Sequence, residues 1–179
     1  MSQAIRPSAY LVCALAASLS MLALSSDATA ATATTSATDN CNGALPGYEG
    51  ALRKRPLGIL NEGTANAFVS CGVSINEHDN EGINTAAVYL INRGTTTQAV
   101  TCTFIDGLPP EFNAIAPTLP VATYYPKAVA VLPGQLLPIA WFPADFELET
   151  FSPYGAFNCN LPPKMELNVA GVSWTEAAP

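Results

Sequence analysis

Three segments of this chain alternate apolar and polar residues, and each sets a cysteine on its apolar side. In Gln98 to Phe104, Val100, Cys102 and Phe104 share one face while Ala99, Thr101 and Thr103 share the other. Ala67 to Val73 places Val69, Cys71 and Val73 together, with Phe68 and Ser70 opposite. Gly155 to Leu161 sets Phe157, Cys159 and Leu161 against Asn158 and Asn160. Side chains alternate across a strand with period two, so each segment reads as a β-strand with one face in a core and one toward water. The apolar face is where a buried disulfide would sit.

Three further segments, Ala86 to Ile91, Ala128 to Leu132 and Leu136 to Phe142, are apolar on both sides and read as central or doubly covered strands. Pro133-Gly134 with Gln135 predicts a hairpin between the last two, and Asn92-Arg93-Gly94 a hairpin joining Ala86–Ile91 to Thr96–Ile105. In the closing segment, Lys164 to Trp174, Leu167 and Val169 share a face but Val172 and Trp174 have the opposite parity, so a β-bulge is expected at Gly171. A short strand is expected near Leu57–Leu60. No stretch of ten or more residues has helical period, and fifteen prolines would break most helices. The expected fold is all-β: a single antiparallel β-sandwich of seven or eight short strands, immunoglobulin-like or jelly-roll-like. The immunoglobulin order of Cys, Trp and Cys is partly present in Cys102, Trp141 and Cys159, with the tryptophan nearer the second cysteine than that pattern has it. No internal repeat stands out.

The first thirty residues read as an address. Arg6 precedes an uncharged apolar run from Tyr10 to Leu24, followed by small and polar residues. A basic start, a short apolar stretch and an A-x-A site make a secretory signal peptide. Ala28-Thr29-Ala30 predicts cleavage before Ala31, and Ala31-Thr32-Ala33 offers a slightly later site. The alternative, an uncleaved anchor, needs about 20 apolar residues to span a bilayer. Cys13 follows Val12 early in the apolar run, a poor match to a lipoprotein cysteine. There is no Arg-Arg pair to mark twin-arginine export.

The expected organisation is a signal peptide at 1–30, a disordered leader and irregular segment at 31–56, and the β-sandwich at 57–179. Residues 31–40 are Ala, Thr, Ser, Asp, Asn with nothing to bury. Net charge is −7 and the only basic cluster is Arg53-Lys54-Arg55. Nucleic acid and anionic lipid surfaces demand basic patches, so neither is expected as a partner. Cys41, Cys71, Cys102 and Cys159 are an even set with no CxxC spacing, which in an exported chain implies two disulfides. Of three connectivities, Cys41–Cys71 with Cys102–Cys159 is favoured. The first pins the N-terminal segment to a strand, and the second joins two strands whose inward faces carry the cysteine.

Three blocks carry a resemblance. They are Val100-Thr101-Cys102-Thr103-Phe104 with Asp106-Gly107; Tyr125-Pro126-Lys127-Ala128-Val129 leading through Leu132-Pro133-Gly134 to Ala140-Trp141-Phe142-Pro143-Ala144-Asp145; and Phe157-Asn158-Cys159-Asn160-Leu161-Pro162-Pro163. Together, over roughly residues 57–174, the chain resembles a group of small secreted bacterial proteins with four cysteines and no assigned function. The resemblance implies a secreted β-sandwich and carries over no catalytic or binding residue.

Chemistry is sparse. The polar run Asn76 to Gly82 offers Glu77, Asp79 and Glu81 as calcium ligands, although its spacing is not that of an EF-hand. His78 is the only histidine, which leaves little for a catalytic triad or a zinc site. Asp145, Glu147 and Glu149 would share one face if their segment were extended, as a charged edge or as a glycosidase-like carboxylate set. Tyr124 and Tyr125, with Tyr154 and Trp174, could form a sugar-stacking platform, whereas Trp141 reads as core. No cofactor motif is present. The leading expectation is a non-enzymatic secreted or periplasmic binding or structural module with a protein or glycan partner. The rivals are a small secreted hydrolase using Asp145, Glu147, Glu149 or His78, and an exported calcium-binding protein.

Overall fold

The alternating segments become the strands of two facing sheets. A computed structural model describes residues 30–73, 75, 80–111, 115, 117 and 121–176. Strands are numbered in chain order. The first sheet runs Leu52–Arg55 (β3), Gly58–Asn61 (β4), Met165–Glu176 (β11), Asn80–Asn92 (β6) and Leu136–Trp141 (β9). Ala30–Ser36 (β1) pairs with β11 beyond the end of β4. The second sheet runs Cys41–Gly43 (β2), Ala67–Val73 (β5), Gly155–Leu161 (β10), Gln98–Asp106 (β7) and Thr123–Val131 (β8). Every strand pairing is antiparallel.

Between the sheets lies an aromatic core. Phe104 packs against Phe151 at 4.9 Å and Phe157 at 5.3 Å between ring centroids, and Trp141 reaches Phe157 at 5.6 Å. All four are essentially fully buried. Trp141 spends its one donor on Tyr125 O at 2.7 Å, which ties β9 to β8 across the sandwich. Both disulfides form as favoured, Cys41–Cys71 and Cys102–Cys159. Each joins residues directly opposite on neighbouring strands of the second sheet, with Cα atoms 4.1 and 4.0 Å apart. They staple one sheet, where the immunoglobulin disulfide crosses between two.

The two turns read as hairpins are arches between the sheets. Asn92-Arg93-Gly94 carries the chain from β6 in the first sheet to β7 in the second, and Pro133-Gly134 carries it from β8 back to β9. Buried Asn92 explains the first. Its Nδ2 donates to Thr96 O at 2.7 Å and Val131 O at 2.9 Å, and its Oδ1 accepts from Gly94 N at 2.8 Å. Asn61 does the same for the arch from β4 to β5, donating to Ala65 O at 2.9 Å and Leu161 O at 2.8 Å and accepting from Gly63 N at 2.9 Å. The residues match too. Asn61-x-Gly63-Thr64 with Val69-Ser70-Cys71 has the spacing of Asn92-x-Gly94-Thr95 with Val100-Thr101-Cys102, an internal repeat that alternation alone does not reveal.

Four further expectations change. Residues 31–40 carry structure: seven residues of Ala, Thr and Ser add to the β11 edge, then a short helix, Ala37–Asn40 (α1), buries Ala37. An open strand edge supplies backbone partners to any extended segment, so composition does not decide order here. The segment 41–56 likewise holds β2, β3 and the helical turn Pro46–Glu49 (α2). The register of β11 shifts at Asn168, between the Leu167 and Val169 pairings, and twice more beyond Ser173, but not at Gly171, which pairs with Thr34 of β1 and where a Cβ would come within 2.9 Å of Ala33 O. Finally, β8 and β9 are edge strands, and their outward Pro126, Ala128, Ala130, Leu136 and Pro138 are exposed.

Candidate ligand-binding face

Alternation that turns cysteines and phenylalanines inward turns the other residues of the second sheet to solvent. Register lines them up in rows. Tyr124, Ile105, Ala156 and Gly72 lie side by side across β8, β7, β10 and β5. The next row is Pro126, Thr103, Asn158 and Ser70, continued by Asn42 on β2. The third is Ala128, Thr101, Asn160 and Phe68. Tyr124 is 64% exposed and Phe68 38%, and Tyr48 of α2 packs at a tilt against Phe68, 5.7 Å between ring centroids. Three strand spacings of about 4.8 Å put roughly 14 Å between the β8 and β5 borders.

No outward residue of β5, β10, β7 or β8 in these rows is charged. The two charges on these strands turn inward. Lys127, opposite Cys102, donates from Nζ to Ala140 O at 2.7 Å and Asp145 Oδ2 at 2.9 Å. Asp106 is half-buried, and its Oδ1 accepts from Ser152 N at 2.7 Å. Burial holds the Asp106 carboxyl above its ordinary pKa, against the opposing pull of the Ser152 hydrogen bonds. The same surroundings raise Tyr125, first by burial and then by the Asp106 charge. Among the described residues, charges adjoin the face at the β2 border, where Lys54 Nζ meets Asn42 Oδ1 at 2.8 Å, Glu49 Oε1 accepts from Gly43 N at 2.7 Å, and exposed Asp39 lines a hollow with Asn42 and Gly72.

The Tyr124 row ends in a groove of about 360 Å³, lined among others by Tyr124, Tyr154, Ile105, Leu108 and Pro109. Asp106 builds one wall indirectly. It anchors Ser152, whose Oγ bonds Tyr154 O at 3.0 Å, while Gly107 N donates to Tyr154 O at 2.8 Å.

The residues singled out from sequence are dispersed. Tyr124 stands on the face, but Tyr125, one position on, turns inside against Phe146 at 4.3 Å and Phe151 at 5.4 Å. Tyr154 joins Tyr124 in the groove, and Trp174 packs against the core from the other sheet. Glu77, His78 and Asp79 lie outside the described residues, and Glu81 is placed only by its backbone in β6. Asp145, Glu147 and Glu149 do not form an extended face. Pro143–Phe146 is a 3-10 turn, Glu147 has φ of 60°, and Asp145 is paired with Lys127. Pro143 ends β9, which is why alternation stops short of these residues. Among the described residues no three His, Cys, Asp or Glu side chains group as metal ligands would.

Ser70, Thr101, Thr103, Asn158 and Asn160 were legible as outward positions but not as a site. Their signal lay in what those positions lack: water-facing strand positions here hold hydroxyls and amides instead of Lys or Glu.

Fold and face together define a disulfide-stapled antiparallel β-sandwich with one uncharged polar face bordered by aromatic rings. No protein family and no curated protein matches the chain. Among solved structures it is similar to the CBM22-1–GH10 modules of the Clostridium thermocellum endo-1,4-beta-D-xylanase 10B complexed with xylohexaose, at 13% identity over 81% of this chain and 24% of that one, TM-score 0.41. It is also similar to the GH26-CBM35 beta-(1,4)-mannanase of Podospora anserina, at 8% identity over 83% of this chain and 28% of that one, TM-score 0.38. The chain thus spans about a quarter of the length of each.

Proposed function

We propose that this protein is an exported, non-catalytic carbohydrate-binding module that meets its ligand with the outer face of the second sheet. One observation carries the reading: an exposed tyrosine at a groove adjoins rows of hydroxyl and amide side chains on a single rigid sheet. Sugars present apolar ring faces edged by hydroxyls. An aromatic ring covers the first, and Thr, Ser and Asn bond the second. The disulfides in β2–β5 and β7–β10 keep the rows in register before a ligand arrives, which limits the ordering cost of binding. Two disulfides fit an oxidising, extracellular setting. Export by the 1–30 leader would deliver the chain there. Among the described residues no helix is long and apolar enough to cross a membrane.

The test is a glycan array probed with the oxidised protein and with Tyr124→Ala. Binding to at least one glycan class is expected, weakened about tenfold or more by the substitution, the equivalent of about 1.4 kcal/mol. Glycan binding that Tyr124→Ala leaves unchanged, or no binding at all, contradicts the proposal.

A further inference from the structure

We infer that the ligand is a neutral glycan, one carrying no carboxylate, sulfate or phosphate. The inference rests on the carbohydrate-binding reading and adds the charge class. The chain has net charge −7, yet the outward rows of β5, β10, β7 and β8 hold only Tyr, Phe, Ile, Pro, Ala, Gly, Thr, Ser and Asn.

An anionic glycan would need a cation within hydrogen-bond reach, and none of those positions supplies one. The lysine of β8 is committed inward, to Ala140 O and Asp145. Arg53 and Arg55 are held by Glu62 at 3.3 and 2.6 Å, and Arg93 is held by Glu166 at 2.7 Å in the other sheet. Lys54 stands at the β2 border, beside Glu49, three strands away from β7 and four from β8. A cationic glycan fares no better within the rows, since the carboxylate of β7, Asp106, is spent on Ser152, and Asp39 stands outside them, beyond Asn42 and Gly72 and away from the Tyr124 border. What the face does offer is uncharged donors and acceptors beside stacking surface, and those match hydroxyls and ring faces alone.

The experiment is affinity electrophoresis of the oxidised protein through gels holding hydroxyethylcellulose, soluble starch, polygalacturonate or alginate, alongside an array of neutral and anionic glycans. Dissociation constants for any hit are then measured from about 0.01 to 1 M salt, where the Debye length falls from about 30 to 3 Å. The expected result is retention by neutral glycans only, with affinity changing less than about twofold across that range. Asn158→Lys is expected to create salt-dependent retention by the anionic gels. Retention of the unaltered protein by anionic glycans, with or without neutral ones, and lost at high salt, would overturn the neutral-ligand inference while leaving the carbohydrate reading standing. Absence of retention by every glycan would overturn both.

Discussion

The two ends of this sandwich are built differently. At one end the chain crosses between sheets through four short connections, residues 62–66, 93–97, 132–135 and 162–164, and each is bonded into another. Asn61 reaches Leu161 O, Asn92 reaches Val131 O, Arg93 N donates to Lys164 O at 2.8 Å, and Gly134 N donates to Asn92 O at 2.8 Å. At the other end the described connections include 107–111, 121–122 and 142–154, and the groove beside Tyr124 lies among them. Buried amides lock the first end, while a half-buried carboxylate, Asp106, pins the second through Ser152. The lesson is a division of labour: the interlocked end fixes strand register, and the end with longer connections is free to shape a surface for a ligand.

The largest effect is expected at the interlocked end. Asn92→Ala removes three hydrogen bonds from a fully buried amide, at about 0.5–1.5 kcal/mol each, so a loss of about 3 kcal/mol is expected in urea unfolding. A loss below about 1 kcal/mol would break the comparison. Next comes the N-terminal strand. A chain beginning at Thr34 lacks the residues paired with Val172 to Trp174, and its melting temperature should fall by about 2–8 °C against one beginning at Ala31, for a loss of about 1–2 kcal/mol.

At the groove end, Asp106→Ala should cost about 1–2 kcal/mol, whereas Asp106→Asn keeps an acceptor for Ser152 N and should be neutral or stabilising near pH 7. The sign follows from protons. Burial raises the Asp106 pKa, so the native state binds its proton more tightly than the unfolded chain, and stability from this group declines as pH rises above about 4. Glu62 behaves oppositely. The Arg55 hydrogen bond, with help from Arg53, holds its pKa below the ordinary value, so its exposed ion pairs stabilise at neutral pH and are lost as pH falls through the folded value. Acid should therefore loosen the Glu62 arch and relieve the Asp106 site, which hydrogen exchange at Glu62 N and Ser152 N would separate. The smallest stability effect belongs to Tyr124→Ala, within about 0.5 kcal/mol because the ring is exposed.

Much of the fold was legible because period two is a direct readout of a half-buried strand. Ala67–Val73 and Gly155–Leu161 coincide with β5 and β10 to the residue, and both disulfides joined the cysteines favoured. Connections were harder. Asn-x-Gly and Pro-Gly serve hairpins and arches alike, and only the tertiary partners of Asn92, on β8 and its own arch, decide between them. Strand β1 was hidden because its residues bury little, and its order comes from the open edge of β11. The face was half visible: outward Thr101, Thr103, Asn158 and Asn160 could be placed from parity, but their alignment with Tyr124 needed the register of three strand pairs.

Chemical-shift mapping of the isotope-labelled protein, titrated with a glycan found on the array, addresses the binding face most directly. Perturbations centred on Tyr124, Thr103, Asn158 and Thr101, with the first sheet silent, are the predicted result. Shifts clustered instead on Tyr89, Ala87 and Leu136 of the opposite sheet would contradict it.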